Sequence, residues 1–173
     1  MKKKHTITKV FKTKWFSIDS VPHTYENQMP YYRLTCSDSV TIIAKTVEGK
    51  IILVRQYRPP INDYTLELPS GYIGKNEPPE DAIKRELKEE TGYTCKSIKY
   101  MKSVKIMPCR INTTVHLFFG DNARLTGKPE NLDTDIEVVL VSINELKKLI
   151  MNDKYSEVGG MAVLYIAKLK KYL

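Results

Sequence analysis

The sequence predicts an α+β protein or mixed-sheet sandwich. Three observations carry this. Runs rich in β-branched and aromatic residues, broken by Pro, Asn and Gly, fill the first half of the chain. Helical patterns punctuate the second half. Strands and helices alternate too seldom for a doubly wound parallel sheet. A length of 173 residues fits one domain, residues 1–173, in which about 1–38 form a β-rich N-terminal extension.

Thr6 to Ser17 reads as a strand with exposed lysines, and Pro22, Asn27 and Pro30 break the stretch after it. Tyr31 to Cys36 is a second short strand. Ser39 to Thr46 and Lys50 to Tyr57 flank Val47-Glu48-Gly49 as a hairpin, which Pro59 and Pro60 stop. Thr65 to Leu68 is brief and apolar. Pro79 to Thr91 is the clearest helix. Proline opens its first turn, Glu80 and Asp81 suit the positive end of the dipole, and Gly92 suits its C-terminal cap. Ile83 and Leu87 give it a buried stripe. Pro78 leaves that helix without a side-chain cap. Ser97 to Ile106, Thr113 to Gly120 and Ile136 to Val141 read as further strands. Ser142 and Glu145 make a capping box for a helix through about Ile150, and a last helix occupies Met161 to Lys171.

Hydrophobic residues are 42% and charged residues 28%, a balance that excludes a disordered chain. No apolar stretch approaches the roughly 18 residues of a membrane span, and the Lys-rich start lacks the apolar run of a secretory signal. Cys36, Cys95 and Cys109 form neither a metal-ligand pattern nor a disulfide framework, which points to a reduced, cytoplasmic setting. The net charge of +8 invites a nucleic-acid reading. However, Lys2, Lys3, Lys4, Lys9, Lys12 and Lys14 supply six of those charges, leaving 22 basic against 20 acidic residues elsewhere. The arm reads as a solvated segment or as an aid in drawing in an anionic ligand. It lacks the interleaved aromatics of a single-strand stacking platform, so nucleic acid is not the expected partner.

The segment 71–93 carries the chemistry. Helical geometry sets Glu86, Glu89 and Glu90 on one face at i, i+3 and i+4. Like charges at that spacing repel and need compensation. Such a face is ordinarily solvated, but clustered carboxylates also suit a hard divalent cation. Arg85, four residues before Glu89, can hold that carboxylate in one orientation.

Gly71, Glu77, Arg85, Glu86, Leu87, Glu89, Glu90 and Gly92 are in register with G-x5-E-x7-R-E-U-x-E-E-x-G-U, where U is aliphatic. The segment resembles the Nudix box, departing only at Tyr93, the last position. The resemblance implies a Nudix hydrolase: a mixed β-sheet sandwiched between helices, cleaving a nucleoside diphosphate linked to another moiety with Mg²⁺ or Mn²⁺. The family's metal ligands carry over to Glu86, Glu89 and Glu90, with the carbonyl of Ser70 added. Glu77 and Arg85 match supporting positions. Gln56-Tyr57-Arg58-Pro59-Pro60 and Glu67-Leu68-Pro69-Ser70-Gly71 are similar to the ADP-ribose pyrophosphatase branch. Arg58 is then a candidate contact for the phosphates or terminal ribose, or else a surface arginine pairing Glu67. After the box, Met107 to Asn112 departs from that branch's Pro-Gly stretch.

Metal-assisted hydrolysis also needs a carboxylate to position or deprotonate water. In the resembling branch this group lies in a later loop. Gly127 to Asp135 matches that loop, with Glu130, Asp133 and Asp135 available and Asp135 favoured. The same resemblance implies a homodimer whose N-terminal extension shapes the nucleotide pocket, with an aromatic among Trp15, Tyr25 and Tyr32 near the base. ADP-ribose, cleaved to AMP and ribose 5-phosphate, is the expected substrate. The alternatives are another nucleoside diphosphate sugar, a dinucleotide, capped RNA, or a non-catalytic ligand sensor, which would expect eroded glutamates.

Overall fold

The computed structural model describes residues 6–22, 30–130 and 136–173. Thr8–Lys12 (β1), Phe16–Val21 (β2) and Tyr31–Cys36 (β3) form an antiparallel sheet in the order β1-β2-β3. A second sheet contains Ser39–Thr46 (β4), Ile51–Arg58 (β5), Asp63–Glu67 (β6), Ser70–Tyr72 (β7), Tyr93–Val104 (β8), Val115–Leu125 (β9) and Glu137–Val141 (β10). Its central order is β10-β5-β4-β9-β8, with β6 paired to β5 and β7 to β4. β4 and β9 run parallel and the other pairs antiparallel, so the sheet is mixed. Pro79–Thr91 (α1), Ile143–Met151 (α2) and Val158–Leu169 (α3) are the α-helices.

The continuous apolar runs of β4 and β5 reflect burial on both faces. Val40, Ile42, Ala44 and Ile52 pack with Ala82, Ile83 and Leu87 of α1. Ile43, Ile51 and Leu53 pack with Leu146 of α2 and with Val163 and Ala167 of α3. This gives the helix–sheet–helix layering that the Nudix resemblance implies. α1 begins without a side-chain cap at Pro78 and ends at Gly92, which adopts φ +73° in the left-handed region. Ser142 and Glu145 form the expected capping box.

Several boundaries differ from the sequence reading. The strand expected over Thr6 to Ser17 is a hairpin, because the Thr13 hydroxyl accepts the amides of Trp15 and Phe16 and turns the chain. β7 is three residues long and exists only through its pairing with β4, so no local pattern announces it. β8 starts at Tyr93, directly after the helix cap. β9 runs on to Leu125, past a register shift opposite Ala44 and Thr46.

The N-terminal sheet meets the rest of the fold through β3. Leu34 bridges Ile111 and donates its amide to the Arg110 carbonyl at 2.8 Å. The Tyr31 hydroxyl donates to the Cys109 carbonyl. β1 is exposed along its whole length. No described helix is long and apolar enough to cross a membrane.

Candidate active site

Arg85 organises the acidic face of α1. Its Nε and Nη2 donate to the two oxygens of Glu77 at 2.8 and 3.0 Å. Its Nη1 donates to Glu86 at 2.8 Å and to Glu89 at 3.0 Å. Nη2 also reaches the Tyr72 carbonyl at 3.1 Å, tying the helix to β7. The planar guanidinium thus places three carboxylates with one group. Glu77 accepts the Gly74 amide at 2.7 Å as well. The Arg85 bonds, then that amide, hold its carboxyl below the usual range. Burial dominates at Glu86 and raises its carboxyl despite Arg85.

Glu90 is held by the β7 backbone instead. It is 6% exposed and accepts the Ser70 amide at 3.0 Å. Burial, with the Glu86 charge adding to it, outweighs that bond and pushes its pKa up to about 8. A cavity of about 330 Å³ opens here, lined among others by Gln56, Arg58, Glu67, Ser70, Glu90 and Glu157. Arg58 and Glu67 form a bidentate pair, with Nε to Oε1 at 2.7 Å. Gln56 and the Thr65 hydroxyl also donate to Glu67. Burial opposes ionisation of Glu67, but Arg58, Thr65 and Gln56 together outweigh it and its pKa is lowered.

The fold therefore gathers Arg58, Glu67, Ser70 and Glu90 on one cavity, with Arg85, Glu86 and Glu89 on the same helix as Glu90. Glu130 stands apart from it: its carboxylate pairs with Lys88 at 2.8 Å and its amide donates to the Glu89 carbonyl. Trp15 is exposed at the β1–β2 turn, with the Lys14 ammonium 4.8 Å from its ring centre. Tyr32 is exposed on β3. Neither aromatic is among the residues lining this cavity. Tyr25, Asp133 and Asp135 lie outside the described residues.

Sequence reasoning missed Glu157, which caps α3 from the cavity wall. The usable signal was an acid ahead of Gly159-Gly160 and an apolar run, an N-cap pattern. Starting the helix at Met161 hid it.

The NUDIX domain family model matches residues 37–158. The chain belongs to the Nudix family. Its class of chemistry is Nudix-type pyrophosphohydrolysis. It is 34% identical to an ADP-ribose pyrophosphatase of Bacillus subtilis over 131 residues, covering 74% of this chain and 71% of that one. It is 30% identical to a methanol dehydrogenase activator of Bacillus methanolicus, with the same coverage of both chains. The crystal structure of an ADP compounds hydrolase matches its fold with a TM-score of 0.79, at 20% identity over 96% of this chain and 93% of that one.

Nudix membership implies dependence on a divalent cation in general. The donors present fit that class: every one is an oxygen, and burial raises the carboxyls of half-buried Glu86 and buried Glu90. Among the described residues no three such side chains converge into a ready coordination shell. The reason is visible in the Nudix box: Arg85 Nη1 bridges Glu86 and Glu89, while Glu90 turns to Ser70.

Proposed function

We propose that this Nudix hydrolase cleaves the pyrophosphate of ADP-ribose to AMP and ribose 5-phosphate, using Mg²⁺ or Mn²⁺ held by Glu86, Glu89, Glu90 and the Ser70 carbonyl. The observation that carries the reading is the single cavity joining buried Glu90 of the box helix to the Arg58–Glu67 pair. The similarity to the Bacillus subtilis pyrophosphatase supports the choice of ADP-ribose.

A cation held by these groups would supply charge neutralisation at the phosphates and a more acidic water. The chain's own groups do the rest. Arg85 orients Glu86 and Glu89. Arg58, already braced by Glu67, is preorganised to meet a phosphate or terminal ribose. A carboxylate of the 127–135 loop, Asp135 ahead of Asp133 and Glu130, accepts the proton of the attacking water.

The protein works as a homodimer in this reading. β1 carries exposed Val10 and Phe11 and has a free edge among the described residues, which a second copy would cover. The extension then brings an aromatic among Trp15, Tyr25 and Tyr32 to the base.

The test is a substrate panel with Mg²⁺ that resolves both products. ADP-ribose, other nucleoside diphosphate sugars, NADH, diadenosine polyphosphates and capped RNA form the panel. ADP-ribose should give the highest kcat/KM. A clear preference for any other member overturns the assignment.

A further inference from the structure

Glu157 shares the cavity wall with Arg58 and Glu67, far along the chain from the Nudix box. Its carboxylate accepts the amides of Gly159, at 2.7 Å, and Gly160 at the start of α3. Tyr155, fully buried in the core, backs this turn. The capping bonds fix the carboxylate in place, yet each oxygen keeps further acceptor capacity.

The charge balance of the cavity is uneven. Arg58 is the one Lys or Arg among the described residues lining it, against three acids: Glu67, which Arg58 keeps ionised, and Glu90 and Glu157, whose carboxyls burial raises. Arg58 is itself committed to Glu67 in a bidentate pair. A second anionic group entering beside that pair would meet the carboxylates of Glu67 and Glu157, and the single cation on the described lining, Arg58, already shares its charge with Glu67. A hydroxyl-rich, uncharged group would instead find acceptors in Glu157 and Glu67 and a polar neighbour in Gln56.

We infer that Glu157 is a specificity-determining residue that admits an uncharged polyol on the pyrophosphate and turns away a further phosphate. This rests on the reading that the cavity receives the moiety beyond the ADP half. The discrimination is repulsive: the fixed charge acts against the wrong ligand as much as it helps the right one.

ADP-ribose and ATP share their ADP half and differ in the terminal group, so they are the probes. The ratio of their kcat/KM values is measured in the wild type, Glu157→Gln and Glu157→Asp. Glu157→Gln keeps the size and one cap acceptor but removes the charge. The preference for ADP-ribose should fall about tenfold or more in Glu157→Gln, the scale of one unscreened like charge at close range. Glu157→Asp should keep the preference within about threefold. A merely structural cap would lower both substrates together, along with the melting temperature, and leave the ratio unmoved.

Titration calorimetry of both ligands in EDTA gives the same ratio without turnover. A wild type that binds but does not cleave ADP-ribose overturns the proposed reaction. An unchanged ratio in Glu157→Gln overturns the role of Glu157.

Discussion

A side chain on Gly71 would collide with Glu86: a Cβ built at Gly71 lies 2.0 Å from the Glu86 Cδ. The backbone of β7 and the carboxylate of α1 are in direct contact, which is why the box needs glycine at its first position. Gly71→Ala should lower stability by about 1–3 kcal/mol, the usual cost of overpacking. Glu86→Asp in the same chain shortens the obstructing side chain and should recover much of that loss in a thermal melt. A Gly71→Ala protein that melts like the wild type would refute the contact.

Arg85→Lys keeps the charge but cannot bond Glu77, Glu86, Glu89 and the Tyr72 carbonyl together. The expected loss is about 10- to 100-fold in activity or metal affinity, as for other groups that orient ligands. Steady-state kinetics across a Mg²⁺ titration measures it, and wild-type behaviour would show that the network is not needed.

As a proposed metal ligand, Glu90 should make metal binding depend on pH. With its pKa pushed up to about 8, it keeps a proton at neutral pH that a bound cation must displace. Apparent Mg²⁺ affinity should therefore rise with pH and level off above about 8. Calorimetry in buffers of different ionisation enthalpy should detect a released proton at pH 7 and little at pH 9. Glu90→Gln should abolish the difference. The same shift sets the sign for stability: the metal-free fold holds a proton that the unfolded chain releases near pH 4. That contribution is fully present below the unfolded value and is lost as pH rises through about 8.

In the proposed mechanism the late loop would supply the base. Asp135→Asn should lower kcat with little change in Mg²⁺ affinity, with Asp133→Asn and Glu130→Gln as comparisons. Glu130 is already paired with Lys88, so its variant should have the smallest effect on kcat. Wild-type rates in all three would return the base to the box.

The acidic helix was legible in full because its signals are local. Pro79, Gly92 and the glutamate spacing need no tertiary information, and α1 spans the predicted residues. The hairpin of β4 and β5 was legible for the same reason. β7 was not, since its three residues are held by pairing with β4, far away in sequence. The pairing of Arg58 with Glu67 was foreseen as one option, but the register of β5 and β6 sets Glu67 opposite Val54 and Arg58 opposite Asp63, so it is the long Arg58 side chain that reaches back to Glu67. Glu157 escaped because a helix start was placed late, and because the sheet's second helical layer, not its motif, carries it to the site.

In the proposed reaction the box glutamates, with Mg²⁺, hydrolyse the pyrophosphate of ADP-ribose. Chromatographic product analysis of ADP-ribose incubated with wild type, Glu89→Gln and Glu90→Gln tests it most directly. The wild type should yield equal amounts of AMP and ribose 5-phosphate with Mg²⁺ and none in EDTA, and each variant should lose about 10²-fold or more in kcat. Undiminished turnover in EDTA or in both variants, or products other than this pair, would contradict it.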